Sequence, residues 1–247
     1  MVIVEEFDTE FGHITIIRSR DDGAYTYLQD ECFHSQATPD GTSTCAYVHV
    51  MYSILRQSHV RNVLMIGCAG GTLATMLHRL GIEVTVVDIN PLSFVLAKKY
   101  FKLSDEVRCV TDDGWSYLVS TSCHYDAIAI DAFDNDGLIP RTFTTENFFR
   151  VTKKVLSARG VAVMNVMTSD DFDMSADRIA LNMEAAEMPA RLFDWPGRYG
   201  RNTIVTGGGI GKLRVFAHKK PQFVRDDIRG ITCRGPKRRM LPRWGVS

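Results

Sequence analysis

The sequence predicts an α/β protein with a Rossmann-like fold, in which a mostly parallel sheet carries helices on both faces and a small antiparallel β domain precedes it. Three observations support this prediction. Short apolar runs alternate with helical patterns from residue 60 onward, which is typical of a parallel sheet with crossover helices. The first run ends in glycines and the second in Asp88. Residues 1–40 contain β-branched and aromatic runs separated by turn residues, which favours short antiparallel strands.

The N-terminal segment predicts a small sheet of its own. Residues 13–18 and 24–28 are rich in β-branched and aromatic side chains, and the Asp-Asp-Gly run at 21–23 is a hairpin turn pattern. The Pro-Asp-Gly run at 39–41 marks the boundary of this domain. Three segments are therefore expected: an N-terminal β-strand domain over 1–42, a nucleoside-binding catalytic domain over 43–219 and a basic tail over 220–247.

The second segment predicts a regular alternation of elements. A helix capped by Ser43 or Thr44 ends near Gln57. Strands are expected at 62–66, 83–87, 107–110, 125–130 and 160–167, with helices at 71–80, 91–101, 114–120, 145–156 and 173–187. Asn90 and Thr145 are the expected helix caps. Antiparallel strands at 190–194, 202–206 and 213–218 complete the sheet. The glycines at 207–211 predict a mobile loop, and the weak apolar periodicity after residue 220 predicts a loosely packed tail.

Composition excludes several classes of function. The chain has 247 residues with 29 basic and 29 acidic side chains, so no overall charge favours nucleic acid. The last residues are basic. This tail could contact nucleic acid or an acidic partner, but a solvated terminus is the favoured interpretation. Six cysteines without C-x-x-C pairs indicate reduced, mostly buried thiols in a cytoplasmic protein. The chain opens without a signal-peptide pattern and has no membrane-length apolar run, and its seven dispersed histidines predict no metal site.

The glycine turn after the first buried strand predicts a nucleoside site. Gly67, Gly70 and Gly71 form a G-x-x-G-G pattern, and Asp88 follows about twenty residues later, where an acidic residue takes ribose hydroxyls. The spacing matches neither the dinucleotide pattern nor a phosphate loop. An adenosyl-sulfonium ligand such as S-adenosylmethionine is favoured. The alternative is a turn that only joins strand to helix.

Acidic side chains follow three of the predicted strands. Asp88, Asp112-Asp113 and Asp131 each stand at a strand's carboxyl end, and ligands of open α/β sheets bind at that edge. The carboxylate of Asp113 could accept a hydrogen bond from an adenine amino group, or it could cap the helix that starts beside Trp115. The sequence leaves both open.

Three carboxylates in six residues, at Asp131, Asp134 and Asp136, suit a cationic substrate. An amine with a pKa near ~10 is protonated at neutral pH, and a carboxylate beside it can accept the proton or position the neutral amine. The alternative is a solvated acidic loop in which the aspartates form turns.

These motifs, in this order and spacing, resemble the spermidine synthase (polyamine aminopropyltransferase) family over roughly residues 5–165. The resemblance rests on the glycine turn, Val87-Asp88, Asp112-Asp113-Gly114 and the run from Tyr125 to Asp134. It implies a class I methyltransferase fold that uses decarboxylated S-adenosylmethionine and transfers its aminopropyl group to an amine in polyamine biosynthesis. It also implies a possible homodimer, no metal and no membrane partner.

The resemblance further implies roles for particular residues. Asp88 would hold the ribose, Asp113 the adenine, Asp131 would be the catalytic carboxylate and Tyr47 would position the amine. The loop over 133–145 would close the active site.

Departures from the family pattern define the alternatives. Gly70 stands where the family carries an aspartate that binds the aminopropyl end. This favours a second hypothesis, an S-adenosylmethionine-dependent methyltransferase, because an aspartate there would repel the carboxylate of that donor. A third hypothesis is a non-catalytic nucleoside-binding protein that keeps the fold.

Overall fold

The computed structural model describes residues 1–134, 137–209 and 222–237. It contains a four-stranded antiparallel sheet followed by an eight-stranded, mostly parallel sheet with helices. The predicted fold class is therefore confirmed.

The N-terminal sheet pairs its strands in sequence order. The strands are β1 (Val2–Thr9), β2 (Gly12–Arg18), β3 (Tyr25–Gln29) and β4 (Cys32–Ala37). One face of the sheet buries Ile14, Ile16 and Tyr27, which pack with Tyr100 and Phe101 of a helix in the second sheet's domain. The small sheet is thereby fixed against the large domain.

The large sheet has the strand order β12-β10-β11-β9-β8-β5-β6-β7. Its strands are β5 (Asn62–Ile66), β6 (Glu83–Asp88), β7 (Arg108–Thr111), β8 (Tyr125–Ile130), β9 (Leu156–Thr168), β10 (Ala190–Asp194), β11 (Arg201–Gly208) and β12 (Thr232–Arg234). Its helices are α1 (Ala46–Gln57), α2 (Thr72–His78), α3 (Pro91–Phe101), α4 (Gly114–Ser120), α5 (Glu146–Val155), α6 (Ser175–Ala185) and α7 (Gln222–Ile228). Strands β5 to β9 are parallel, and β10, β11 and β12 pair antiparallel.

Two helix caps agree with the sequence and one does not. The side chain of Asn90 accepts from the backbone N–H of Leu92, and that of Thr145 accepts from Phe148. Helix α1 instead has Cys45 at its N-cap, with no side-chain cap bond. Ser43 and Thr44 are therefore wrong as caps, because the hydroxyl of Ser43 accepts from the N–H of Cys45 and the hydroxyl of Thr44 donates to the side chain of Gln36.

The C-terminal region differs from the expected loose tail. Helix α7 buries Val224 and Ile228 in the main core, and β12 pairs with β10. Gly207 and Gly208 belong to strand β11 and pair with β9, so the predicted mobile loop is wrong at these two positions. The strand predicted at 213–218 lies outside the described residues.

Candidate active site

The carboxyl ends of four parallel strands meet at one rim of the large sheet. Backbone hydrogen bonds link neighbouring strand ends: Gly67 N to Val87 O at 2.9 Å, Asp131 N to Ile66 O at 2.9 Å, and Asp112 N to Asp88 O at 3.2 Å. The ends of β8, β5, β6 and β7 thus form a continuous edge. The predicted acidic positions and the glycine turn all stand on it.

The glycine turn needs its glycines for two different reasons. Gly67 has φ +91°, and a Cβ there would lie 2.8 Å from the carbonyl carbon of Asp131 and closer still to its oxygen. Gly71 has φ +60° and is the N-cap of α2. Gly70 is packed between Ser35 and Phe101, where a Cβ would come within 3.0 Å of both. Position 70 therefore has no room for a carboxylate, and its N–H donates to the hydroxyl of Ser35 at 3.2 Å.

Asp88 holds the glycine turn in place from the end of β6. Its carboxylate accepts from the N–H of Cys68 at 2.7 Å and from the N–H of Asn90 at 2.8 Å. Burial raises the pKa of Asp88, and these backbone donors oppose the shift because they favour the ionised form. Each oxygen keeps a lone pair for a further donor such as a ribose hydroxyl.

Asp112 and Asp113 follow β7 and are used locally. Oδ1 of Asp113 accepts from the N–H and the hydroxyl of Ser116, at 2.9 and 3.1 Å, which makes it the side-chain cap of α4. The carboxylate of Asp112 accepts from the N–H of Asp113. Asp113 therefore caps helix α4, which was one of the two roles left open by the sequence, and its Oδ1 is occupied. An adenine role would fall to its other oxygen and stays a prediction.

Asp131 stands at the end of β8 within a polar chain. Its Oδ1 accepts from the amide of Asn165 at 2.8 Å, and its Oδ2 accepts from the hydroxyl of Tyr47 at 3.3 Å. The amide of Asn202 in turn donates to Asn165 at 3.0 Å. Burial raises the pKa of Asp131, and the bonds from Asn165 and Tyr47 lower it. The same burial, with the Asp131 charge nearby, holds the pKa of Tyr47 well above its usual range.

A cavity of about 750 Å³ opens in front of Asp131. Tyr47, Asn165 and Cys68 also line it, so the acidic strand end and the glycine turn face the same space. Residues of strand β4 and of the loop between β10 and β11 also line it. This volume suits a small-molecule ligand.

Part of the loop after Asp131 borders the cavity. Phe133 and Gly137 line the cavity. The carboxylate of Asp134 is exposed and accepts from the N–H of Leu138 at 2.9 Å, so it forms the loop's own turn and is not among the cavity-lining residues. Asp136 lies outside the described residues, and its predicted substrate contact stays a prediction.

Sequence reasoning missed two parts of the site. Asn165 interrupts an apolar run in buried strand β9, and a polar side chain in such a strand needs a partner; this pattern could have identified it. The wall between β10 and β11 was also missed. It is held by Arg201, which donates to Asp194 at 2.7 Å and to Asp171 at 2.9 Å.

Cys68, Trp115 and the free cysteines have simple structural explanations. Burial raises the pKa of Cys68 well above its usual range, which leaves its thiol protonated and unreactive. Trp115 packs against Phe148 in the core. All six cysteines are free, but Cys32, Cys123 and Cys233 are exposed, so the expectation of mostly buried thiols is wrong.

The described part of the chain shows neither a metal-binding cluster nor a membrane-spanning helix. Within residues 1–134, 137–209 and 222–237, no group of three or more His, Cys, Asp or Glu side chains is arranged to hold a metal. No helix in this part of the chain has the length and apolarity needed to cross a membrane.

The fold and the rim define a Rossmann-like protein of the class I methyltransferase type, with a small antiparallel sheet at its N-terminus. The chain matches the family model described as the spermine/spermidine synthase domain over residues 45–172. It belongs to that family, and the resemblance seen in the sequence is confirmed.

Three relatives illustrate the match. The chain is 33% identical over 149 residues to a polyamine aminopropyltransferase of Chromobacterium violaceum, covering 57% of each chain. It is 26% identical over 123 residues to an eEF1A lysine and N-terminal methyltransferase homologue of Drosophila melanogaster, covering 45% of this chain and 18% of that protein. A probable spermidine synthase from Corynebacterium glutamicum superposes with a TM-score of 0.77 at 18% identity, covering 98% of this chain and 99% of that one. The chain thus spans less than two thirds of the length of these two sequence relatives.

Proposed function

We propose that the chain transfers an aminopropyl group from decarboxylated S-adenosylmethionine to an amine, as a step of polyamine biosynthesis. One observation carries this proposal: the Asp131 carboxylate, held by Tyr47 and Asn165, faces a cavity that also reaches the glycine turn. Family membership and the aminopropyltransferase of Chromobacterium violaceum support it.

The chemistry requires a neutral amine beside a sulfonium. The amine nitrogen attacks the propyl carbon bonded to sulfur, and the carbon–sulfur bond breaks with its electron pair on sulfur. The products are a new C–N bond and the neutral thioether methylthioadenosine. The leaving group needs no acid, and the amine must lose one proton. Asp131 is the proposed acceptor or orienting group for that proton, so alignment of the two reactants supplies most of the rate gain.

The roles of the other residues belong to the same proposal. Gly67, Gly70 and Gly71 would border the sulfonium co-substrate. Asp88 would accept hydrogen bonds from the ribose hydroxyls of that molecule. Asp112 and Asp113 would lie near the adenine, while Tyr47 would orient Asp131. No metal takes part in this scheme. We further propose a cytoplasmic location and pairing of two copies; the free thiols and the exposed Val2 and Ile3 on edge strand β1 support these two points.

Product analysis tests the transfer. The purified chain is incubated with decarboxylated S-adenosylmethionine or with S-adenosylmethionine and a panel of amines, and the nucleoside product is identified by mass spectrometry. Methylthioadenosine that depends on the amine supports the proposal. The matched control is Asp131→Asn, which keeps the side-chain shape and removes the proton acceptor, and it is expected to lose at least ~100-fold in rate.

A methyltransferase is the second candidate. The packing of Gly70 between Ser35 and Phe101 favours it, because position 70 has no room for an acidic side chain that would repel the donor's carboxylate. The similarity to the Drosophila methyltransferase homologue is a second support. S-adenosylhomocysteine as the product would replace the aminopropyl proposal with this one. Tight nucleoside binding without any product would favour the non-catalytic alternative.

A further inference from the structure

Three polar residues that line the cavity come from three neighbouring strands of the large sheet. Asp131 follows β8, Asn165 is in β9 and Asn202 is in β11, and the strand order places β9 between the other two. Asn165 pairs with Ile204 across the antiparallel strands β9 and β11. Asn202 is two residues from Ile204, so its side chain is on the same face of the sheet as that of Asn165. The strand register therefore places the two amides side by side.

Chemistry fixes the direction of the hydrogen bonds along this row. An ionised carboxylate accepts hydrogen bonds and cannot donate one, so the group of Asn165 that lies 2.8 Å from Asp131 is its NH2 group. The carbonyl oxygen of Asn165 then accepts from the NH2 group of Asn202 at 3.0 Å. The same NH2 group lies 3.1 Å from the sulfur of Met167, which is also an acceptor. Both contacts of the Asn202 amide therefore use its nitrogen.

Burial makes the orientation of the Asn165 amide important. Asn165 is 2% exposed, and a buried amide that loses a hydrogen-bond partner costs free energy. If this amide turned over, its carbonyl would face the carboxylate of Asp131 and its NH2 group would face that of Asn202. Both new contacts would be repulsive, and Asp131 would lose a donor. Asn202 thus opposes the turned orientation.

Other titratable groups surround Asp131, and they are the same whichever side chain stands at position 202. Tyr47 and Cys45 interact with the charge of Asp131 from helix α1 and its N-cap. Burial raises the pKa of both groups, that of Cys45 to about 11, so both are uncharged at neutral pH. The cavity lining also contains four side chains that can carry charge, which are those of His34, Arg198, Arg201 and Asp227.

We infer that Asn202 is a positioning residue, which fixes the orientation of the Asn165 amide so that Asn165 donates a hydrogen bond to Asp131. This inference rests on the proposed function, since it takes Asp131 as the group that accepts or orients the proton of the amine. Asn202 acts through Asn165 and needs no contact with the substrate. Donors to a carboxylate favour its ionised form, which is the form that can accept a proton.

Asn202→Asp tests the inference, because it keeps the side-chain shape and replaces the donor by an acceptor. The introduced carboxylate cannot donate to the carbonyl of Asn165 when ionised, so the amide should turn and withdraw its donor from Asp131. The matched control is Asn182→Asp. Asn182 is half-buried like Asn202, and its amide donates to Thr144 O at 2.8 Å, but it is not among the described residues that line the cavity.

The measurement is the pH profile of kcat/KM for amine-dependent formation of methylthioadenosine. We expect Asn202→Asp to move the acid limb to higher pH and to lower kcat/KM ~10-fold on that limb, the scale of one lost hydrogen bond to a charged group. The plateau at higher pH should be retained, and Asn182→Asp should leave the limb where it is. An unchanged limb in Asn202→Asp, or an equal loss of rate at every pH, would overturn the inference.

A second background separates the turned amide from the direct effect of an added charge. Asn202→Asp in an Asn165→Ala background keeps the introduced carboxylate and removes the amide through which it is proposed to act. The acid limb should therefore move less in this background than in the wild-type background. Equal movement in the two backgrounds would assign the effect to charge repulsion alone and would contradict a positioning role for Asn202.

NMR of isotope-labelled aspartate carboxyl carbons distinguishes this inference from the proposed function. It follows the protonation of Asp131 without turnover, and the resonance of Asp131 is the one that Asp131→Asn removes. A higher pKa of Asp131 in Asn202→Asp, with no methylthioadenosine from the wild type, would remove the proposed transfer and leave the positioning role standing. Methylthioadenosine formation with the same Asp131 pKa in both proteins would overturn the inference and leave the proposed function.

Discussion

Replacing Gly67 by alanine tests whether the glycine turn fixes the position of Asp131. Gly67 has φ +91°, and an added Cβ would lie 2.8 Å from the carbonyl carbon of Asp131. Gly81 is the matched control, because it has φ +77° and nothing within 4 Å of an added Cβ. Both substitutions place an L side chain in the left-handed region, but only one also forces two backbone segments apart.

The expected magnitudes follow from these two costs. The left-handed backbone costs about 1–2 kcal/mol at either site, and the entropy effect on the unfolded chain cancels in the comparison. Forced displacement of packed backbone adds about 1–3 kcal/mol at Gly67 alone. Since 1 kcal/mol shifts Tm by about 2–4 °C in a chain of this size, Gly67→Ala should melt well below Gly81→Ala.

Chemical denaturation and turnover measure the two consequences. Gly67→Ala should also lose about 100-fold in rate, because a shift of about 1 Å in a reacting group has that effect. Gly81→Ala should keep its rate. Equal losses of stability and of rate in the two variants would refute the reasoning that the turn positions Asp131.

Three further predictions concern charged and polar contacts. Asp131→Asn should not lower Tm in a thermal melt at neutral pH. Burial raises the pKa of the Asp131 carboxyl, so its ionised form lowers the stability of the folded protein. This destabilisation decreases as pH falls through the folded-state pKa and is absent below the unfolded-state pKa. Tyr47→Phe removes a bond that lowers this pKa, so the acid limb of the kcat/KM profile should move to higher pH; an unchanged limb would contradict it. Arg234→Gln leaves Asp177, which is 1% exposed, without its ion-pair partner and with the backbone N–H of Lys237 as a remaining donor. This change should cost about 3 kcal/mol in urea unfolding, against at most ~1 kcal/mol for the exposed control Arg229→Gln.

The parallel half of the fold could be predicted from local patterns. Strand β5 is a continuous apolar run that ends at Gly67, and such runs are typical of strands buried on both faces. The caps at Asn90 and Thr145 are visible because their side chains bond within the next few residues. These features are local in sequence, so no tertiary contact is needed to recognise them.

The rest of the cavity lining could not be predicted in the same way. Its residues come from β4, α1, β9, the loop before β11 and α7, which only the tertiary fold brings together. Helix α7 shows one apolar pair that reaches the core, Val224 and Ile228, and a single i, i+4 pair does not distinguish a helix from a tail. The use of Asp113 as a cap was equally open, because one carboxylate can serve a helix or a ligand.

The separate origins of the two parts of the cavity lining have a consequence for substitutions. Residues 62–131 contribute the strand ends and the glycine turn, and their backbones are bonded to one another. The wall with Arg198 comes from a connection between antiparallel strands, far from that stretch in the chain. Substitutions in this wall can therefore change the shape and charge of the cavity while the hydrogen-bonded strand ends keep their geometry.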